Sequence, residues 1–140
     1  MRVERVDTEE AYEDALSVRY DVFVDEQGVP EDLEVDEHEE RATHFVGYDG
    51  GEPVAAARLR EYEPGVGKVE RVAVQQPRRG EGFGAAVMDA VEEAAAEDFD
   101  ELYLHAQLHV EAFYADRGYE RDGEEFTEAG IDHVAMRKRL

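Results

Sequence analysis

A chain of 140 residues is long enough for one compact domain with a buried core, and its 42% of hydrophobic residues lie in periodic segments, with no run near the roughly 20 residues a membrane span needs. Acidic residues outnumber basic ones by 37 to 15, a formal net charge of −22, which argues against nucleic acid as a partner because phosphates require basic patches. Cysteine is absent and Ser17 is the only serine, so disulfides, thiolate metal sites and Ser or Cys acyl-enzyme chemistry have almost nowhere to reside.

Lys68 and Lys138 are the only lysines, so arginine supplies the other 13 basic residues. A surface this acidic repels itself in dilute buffer and is screened at molar salt, where the Debye length falls to about 3 Å. The balance leads us to expect an extreme halophile's cytosol. The opening residues Met1 to Arg5 carry no apolar stretch of a secretion signal. The expectation is a soluble cytoplasmic protein without a membrane partner, forming one domain over residues 1–140.

Residues 2–6 alternate as a short strand. Asp7 or Thr8 is placed to cap a helix whose apolar stripe reads Tyr12, Leu16, Tyr20 and Phe23. Gly28-Val29-Pro30 ends that pattern, and the almost wholly acidic stretch from Glu31 to Arg41 reads as a solvated loop. Strands follow at 42–48 and 53–62, joined by the turn Asp49-Gly50-Gly51, and again at 67–75 after Pro64-Gly65. The period then changes: Gly84, Met88, Val91 and Ala95 recur at helical spacing. Leu102 to Ala106 reads as a buried strand, 109–116 as a short helix ending at Gly118, and 119–126 and 132–139 as two last strands. The order β-α-β-β-β-α-β-α-β-β predicts an α/β (mixed α+β) fold, a mixed sheet flanked by helices.

The chemistry concentrates where the strand ending near Gln75 runs into Arg79-Gly80-Glu81-Gly82-Phe83-Gly84 and a helix begins. Amides at a helix N-terminus lack intrahelical partners, the macrodipole there is positive, and glycines let an anion approach closely. Arg78 and Arg79 would relieve the opposing global field, and the loop reads as a pyrophosphate seat. A P-loop would need Gly-Lys-Ser/Thr, which Phe83-Gly84-Ala85 does not supply. A dinucleotide fingerprint fits Gly80, Gly82 and Ala85, with Asp100 at about the right distance. It should open a βαβ series, and here too little chain follows for one.

Val72-Ala73-Val74 followed by Arg79, Gly82 and Gly84 resembles motif A of the GNAT superfamily of N-acetyltransferases. Glu111-Ala112-Phe113-Tyr114-Ala115-Asp116-Arg117-Gly118-Tyr119 is similar to the family's motif B. Arg19 to Gln27, Leu104-His105-Ala106-Gln107 and Glu128 to His133 resemble its ElaA-like branch, except that Asp132 stands where proline is expected. The resemblance implies a central, mostly antiparallel mixed sheet and transfer of acetyl from acetyl-CoA to a primary amine. Direct attack in a ternary complex agrees with the missing cysteine. A non-catalytic acyl-CoA-binding module of the same fold is the alternative.

By resemblance, Val72, Ala73 and Val74 bind the pantetheine arm, and Arg78, Arg79, Gly80, Glu81, Gly82, Phe83 and Gly84 form the diphosphate loop. Tyr114 is the general acid, because a tyrosine with a pKa about 10 matches a thiolate leaving group. The base is open among His105, Glu70, Glu26 and a water chain. Arg19, Phe23, Glu26, Gln27 and His133 are expected around the acceptor. No metal is expected: a strand-to-helix break separates His105 from His109, and His38 reads as part of a solvated face. The expected partners are acetyl-CoA and a small-molecule or peptide amine, and a homodimer is compatible with this reading.

Overall fold

The computed structural model describes residues 2–140. Eight strands form one sheet in the order β1-β2-β3-β4-β5-β8-β6, with β7 also pairing to β8. They are β1 (Arg2–Arg5), β2 (Thr43–Asp49), β3 (Glu52–Glu63), β4 (Val66–Val74), β5 (Glu101–Gln107), β6 (Glu120–Arg121), β7 (Phe126–Glu128) and β8 (Ile131–Arg139). Only β4 and β5 run parallel; every other pairing is antiparallel. The expected mixed, mostly antiparallel sheet flanked by helices is present. The tail differs from expectation, since Asp122 to Glu125 interrupts the anticipated strand and leaves two short edge pieces.

One face is covered by α3 (Phe83–Asp98) and the short α4 (Glu111–Asp116), the latter entered through a 3-10 turn at Leu108–Val110. Alternate positions of the central strands (Leu59, Val69, Leu102, Leu104, Val134, Met136) meet Phe83, Val87, Met88, Val91 and Ala95 there. Each such side chain contributes about 1.5–3 kcal/mol on burial.

On the other face lies α1 (Glu9–Arg19), capped by Thr8, whose Oγ1 accepts from the Ala11 amide at 3.1 Å. It continues as a π-helical turn, Tyr20–Glu26. The buried stripe is Ala11, Ala15, Val18 and Val22, one or two positions before the Tyr12–Leu16–Tyr20–Phe23 stripe read from sequence. Small residues let this helix lie close on Val46, Ala56 and Ala73, while the larger side chains flank the contact.

The acidic stretch 31–41 is not a solvated loop. It contains the turn α2 (Glu31–Glu34) and a 3-10 turn (Glu39–Arg41), and it buries Glu34 and Glu39 at 2% and 6% exposure. They meet two arginines of zero exposure. Arg19 donates Nε to Glu34 Oε2 at 2.7 Å and Nη1 to Glu39 Oε2 at 2.7 Å. Arg58 donates to Asp36, Glu39 and Glu70 at 2.8–3.2 Å. Tyr12 donates its hydroxyl to Glu39 Oε2 at 2.6 Å. Buried charges persist only when so fully paired. Among the described residues no helix is long and apolar enough to cross a membrane.

Candidate active site

The site begins with one extra residue in β4. Arg58 pairs with Glu70 and Ala56 with Ala73, so β4 spends three residues where β3 spends two. Arg71 takes up the difference at φ 57, a left-handed geometry costing a non-glycine residue about 1 kcal/mol or more. Arg71 donates Nη2 to Leu33 O at 3.0 Å and Nε to Glu34 O at 3.3 Å, so the acidic segment holds the bulge. The bulge exchanges the strand's faces: Val69 packs toward α3, and after it Val72 and Val74 do so while Ala73 turns to α1.

β4 and β5 pair only from Val66↔Glu101 to Val69↔Leu104. Beyond that rung β4 stays with β3 and β5 with β8, and the two parallel strands fork. The Gln75 amide donates to Val54 O at 3.0 Å, so by alternation the amide and carbonyl of Val74, and those of Val72, face the fork. Arg79 Nε takes the Val74 carbonyl at 2.9 Å.

At the mouth of the fork the chain passes through a 3-10 turn (Gln76–Arg78) and enters α3 at Phe83. Gly80 and Gly82 adopt φ 83 and 89, which side-chain-bearing residues rarely tolerate. Gly82 caps the helix without a side chain, and the first bond into it is Ala86 N–H to Gly82 O at 3.1 Å. Among the described residues the amides of Gly80, Glu81, Gly82, Phe83 and Gly84 donate to no protein acceptor. Five donors and the positive end of a 16-residue helix dipole thus remain for an anion. The sequence assigned relief of the negative field to the two arginines, and here the geometry differs. Arg78 is paired with Asp49 and Glu81, and Arg79 with both oxygens of Glu26 at 2.7 Å. Both of these guanidiniums already have carboxylates, and the unpartnered donors at this loop are backbone amides.

Tyr114 lies in α4 at 7% exposure, edge-on to Phe113 and Tyr119 at 5.0 and 5.7 Å between ring centres. Burial pushes its hydroxyl well above the ordinary tyrosine range, so it stays protonated. The neighbouring Tyr119 donates to Glu92 Oε2 at 2.8 Å, whereas the Tyr114 hydroxyl has no protein partner among the described residues. The ring is buried but the hydroxyl is not among the buried unpartnered atoms, so it reaches the surface and is free for a ligand.

The expected acceptor-side residues divide. Arg19 has no exposed surface and is locked to Glu34 and Glu39, so it holds the fold and does not touch a substrate. Glu70 is buried, but the charges of Arg58 and Lys68 and bonds from Arg58 and Arg60 hold its carboxyl below the usual range, which removes it as a base. Glu26 is likewise held down, by the hydrogen bond from Arg79 first. Phe23 packs beside α1, and Gln27 exchanges two side-chain amide bonds with Gln107 at 3.0 and 3.3 Å, tying the π-helical turn to the end of β5. A cavity of about 420 Å³ opens beside Gln75 to Pro77, walled by Asp21, Val22, Asp25 and Glu26. A second, of about 370 Å³, lies at the far end of the sheet beside Asp98 and Phe99.

His105 is the first residue of β5 past the last rung shared with β4. Its Nε2 lies 3.0 Å from the Tyr103 hydroxyl and its Nδ1 3.0 Å from Glu128 Oε1. His133 is buried, stacked on Phe126, with its Nδ1 at 2.7 Å from Ile131 O. The sequence assigned no individual role to Tyr103, and it brought in Gln107 and Glu128 only as members of the branch segments that resemble ElaA. Glu128 stands 23 positions from His105, and no local spacing announces such a pair. Among the described residues no cluster of three or more metal-ligating side chains occurs.

Residues 6–140 match the family described as the acetyltransferase (GNAT) domain. The chain is 44% identical over 132 residues to the uncharacterized N-acetyltransferase YjcF of Bacillus subtilis (strain 168), covering 93% of this chain and 94% of that one. A shared fold alone links it to an aminoglycoside 6'-N-acetyltransferase crystallised with coenzyme A, at 15% identity and a TM-score of 0.80 over 99% of this chain and 97% of that one. The chain belongs to the GNAT acetyltransferase family. Within it, Protein ElaA of Escherichia coli (strain K12) is a homologue, 33% identical over 132 residues, 89% of this chain and 85% of ElaA. Its crystal structure superposes with a TM-score of 0.86, over 98% of both chains.

Proposed function

We propose that this protein is an N-acetyltransferase that moves the acetyl group of acetyl-CoA to a primary amine by direct attack in a ternary complex. The observation that carries the reading is the run of unpartnered amides from Gly80 to Gly84 at the mouth of the β4–β5 fork. The coenzyme A in the fold relative's crystal supports the same choice of ligand. When bound, acetyl-CoA supplies the acetyl group as an activated thioester. The amides of Gly80 to Gly84, in the loop that includes Arg78 and Arg79, hold its diphosphate, and the fork-facing groups of Val72 and the free amide of Val74, on either side of Ala73, align its arm.

The Val74 amide donates to the thioester carbonyl, a contribution worth roughly 2.7–4 kcal/mol for a preorganised donor. Tyr114 gives its proton to the leaving sulfur. His105 receives the proton released by the amine. Phe23, Gln27 and His133 stand around the acceptor, and the carboxylates of Asp21, Asp25 and Glu26 draw a cationic amine toward the site. The charge balance supports an extreme halophile's cytosol as the working medium.

Calorimetric titration with acetyl-CoA and, separately, NAD in molar KCl tests the binding, and thiol release over a panel of amines tests the turnover. Acetyl-CoA binds, NAD does not, and at least one amine releases thiol. NAD affinity without CoA affinity overturns the reading, and binding without release on every amine replaces it with a non-catalytic acyl-CoA-binding module.

A further inference from the structure

The face of the sheet opposite α3 is covered by α1 and its π-helical turn only over β2 to β4. Over β5 and β8 it carries a line of side chains that belong to neither apolar core cluster: Tyr62 stacked on Tyr103 at 4.7 Å, then His105, Phe126, Glu128 and His133. His105 is held at both ring nitrogens. A carboxylate only accepts hydrogen bonds, so the Nδ1 at 3.0 Å from Glu128 Oε1 carries the proton. The lone pair of Nε2 is then left to accept from the Tyr103 hydroxyl at 3.0 Å. Phe126 meets the imidazole edge-on at 4.8 Å and fixes the ring plane. The His105 side chain keeps 20% of its surface exposed and Glu128 keeps 49%, so the group is open to solvent.

We propose that Tyr103, His105 and Glu128 form a proton relay at the base of the fork, with Glu128 as the residue that positions His105. This rests on the acetyltransferase reading above and specifies the path by which the acceptor's proton leaves. The amine N–H bond breaks as water in the fork takes that proton. The water passes one proton to the Tyr103 oxygen, and the Tyr103 O–H bond breaks as its own proton passes to His105 Nε2. The water chain spans the strand length between the Lys68–Tyr103 rung and Val74. The result is neutral Tyr103 and an imidazolium whose charge faces the Glu128 carboxylate; the proton then passes to solvent. Glu128 acts twice: it holds the tautomer that leaves Nε2 basic, and it stabilises the charged ring. The other titratable groups around the pair are His133 on β8, with Nε2 at 3.8 Å from Glu128 Oε2, and Lys68 on β4, whose charge also acts on Glu128. The acceptor therefore approaches from the face opposite α3.

The test uses the whole protein in molar KCl, with the best amine of the thiol-release panel. Glu128→Gln and Tyr103→Phe each lower kcat about tenfold or more, and His105→Ala about 100-fold, in the range of general-base contributions. The KM for acetyl-CoA and its calorimetric Kd stay within about twofold of wild type, because none of the three touches the diphosphate loop. Free imidazole restores turnover to His105→Ala and leaves the Tyr114→Phe variant unchanged. Glu128→Asp retains more kcat than Glu128→Gln. Glu125→Gln, just before β7 and paired only with Arg121, serves as the control at wild-type rate. Wild-type kcat in either Glu128→Gln or Tyr103→Phe overturns the relay while the wild-type enzyme still acetylates. If the wild-type protein itself releases no thiol, the function has failed and not the relay. A Tyr103→Phe or Glu128→Gln protein that unfolds is replaced by Tyr103→Leu or Glu128→Ala, which also carry no proton, and the same kcat loss at unchanged acetyl-CoA Kd is required.

Discussion

Replacing Arg19 with methionine separates a structural arginine from a substrate-binding one. Methionine fills much of the arginine volume, so the loss measures uncompensated charge more than a cavity. In the native protein all of the guanidinium contacts are internal, to Glu34 Oε2, Glu34 O and both oxygens of Glu39, at 2.7–3.0 Å. Breaking one side of such a buried cluster costs about 3–5 kcal/mol. Glu39 gives a second measure. Burial pulls its carboxyl upward, but bonds from Arg19 and Tyr12 and the Arg19 charge hold it at about 2, against an ordinary 4.5. That difference corresponds to about 3 kcal/mol of stability at neutral pH. Because the folded value lies below the unfolded one, this stability is full above pH about 4.5 and is lost as the pH falls toward about 2.

For a chain of this length an unfolding entropy of about 0.3 kcal/mol/K turns 3–5 kcal/mol into a fall in Tm of about 10–17 °C. Scanning calorimetry at pH 7 and constant salt reads it. The exposed Arg121, paired with Glu111, is the control: Arg121→Met moves Tm by about 3 °C or less. A Tm for Arg19→Met within that same margin, with a raised KM for the amine, refutes the reasoning and returns Arg19 to the substrate.

Tyr114→Phe keeps the edge-on ring packing and removes only the unpartnered hydroxyl, so kcat falls about 100-fold while the acetyl-CoA Kd stays within twofold; unchanged turnover in the thiol-release assay ends the acid role. Gly82→Ala meets no neighbour within 4 Å, so its effect is purely conformational: at φ 89 it strains the loop by about 1 kcal/mol or more and weakens acetyl-CoA about fivefold or more by calorimetry. An unchanged Kd would mean those amides do not hold the ligand. Raising KCl from about 0.1 M to about 2 M increases the wild-type Tm, because the surface acids repel over a shorter range; a flat or falling Tm counts against the halophilic reading.

The strand pattern and the glycine loop were legible because each has a local signal: alternation for β2 to β4, and a change of period at Gly84 to Ala95. The stripe on α1 was misread because large side chains were given more weight than alanines, and close contact with Ala56 and Ala73 favours the small ones. The acidic stretch was misread for a different reason. Eleven residues dense in carboxylates look solvated until Arg19 and Arg58, 15 to 22 positions away, are brought against them. The unpaired Tyr114 hydroxyl and the Glu128 contact to His105 exist only in three dimensions. Loop chemistry was written in the sequence, whereas charge pairing was decided by topology.

Arg71 makes β4 an odd count against an even one, and parity is not something a side chain can adjust. Removing that single residue would let the strand run on in step with β3, rotating Val72 and Val74 to the helix α1 side and Ala73 away from it. Nothing would then part β4 from β5 past Val69, and the gap at the heart of the molecule would zip shut. A family of sequences sharing this architecture should therefore tolerate no deletion at this position, and should favour there a residue that accepts a left-handed backbone or keeps the anchors to Leu33 and Glu34.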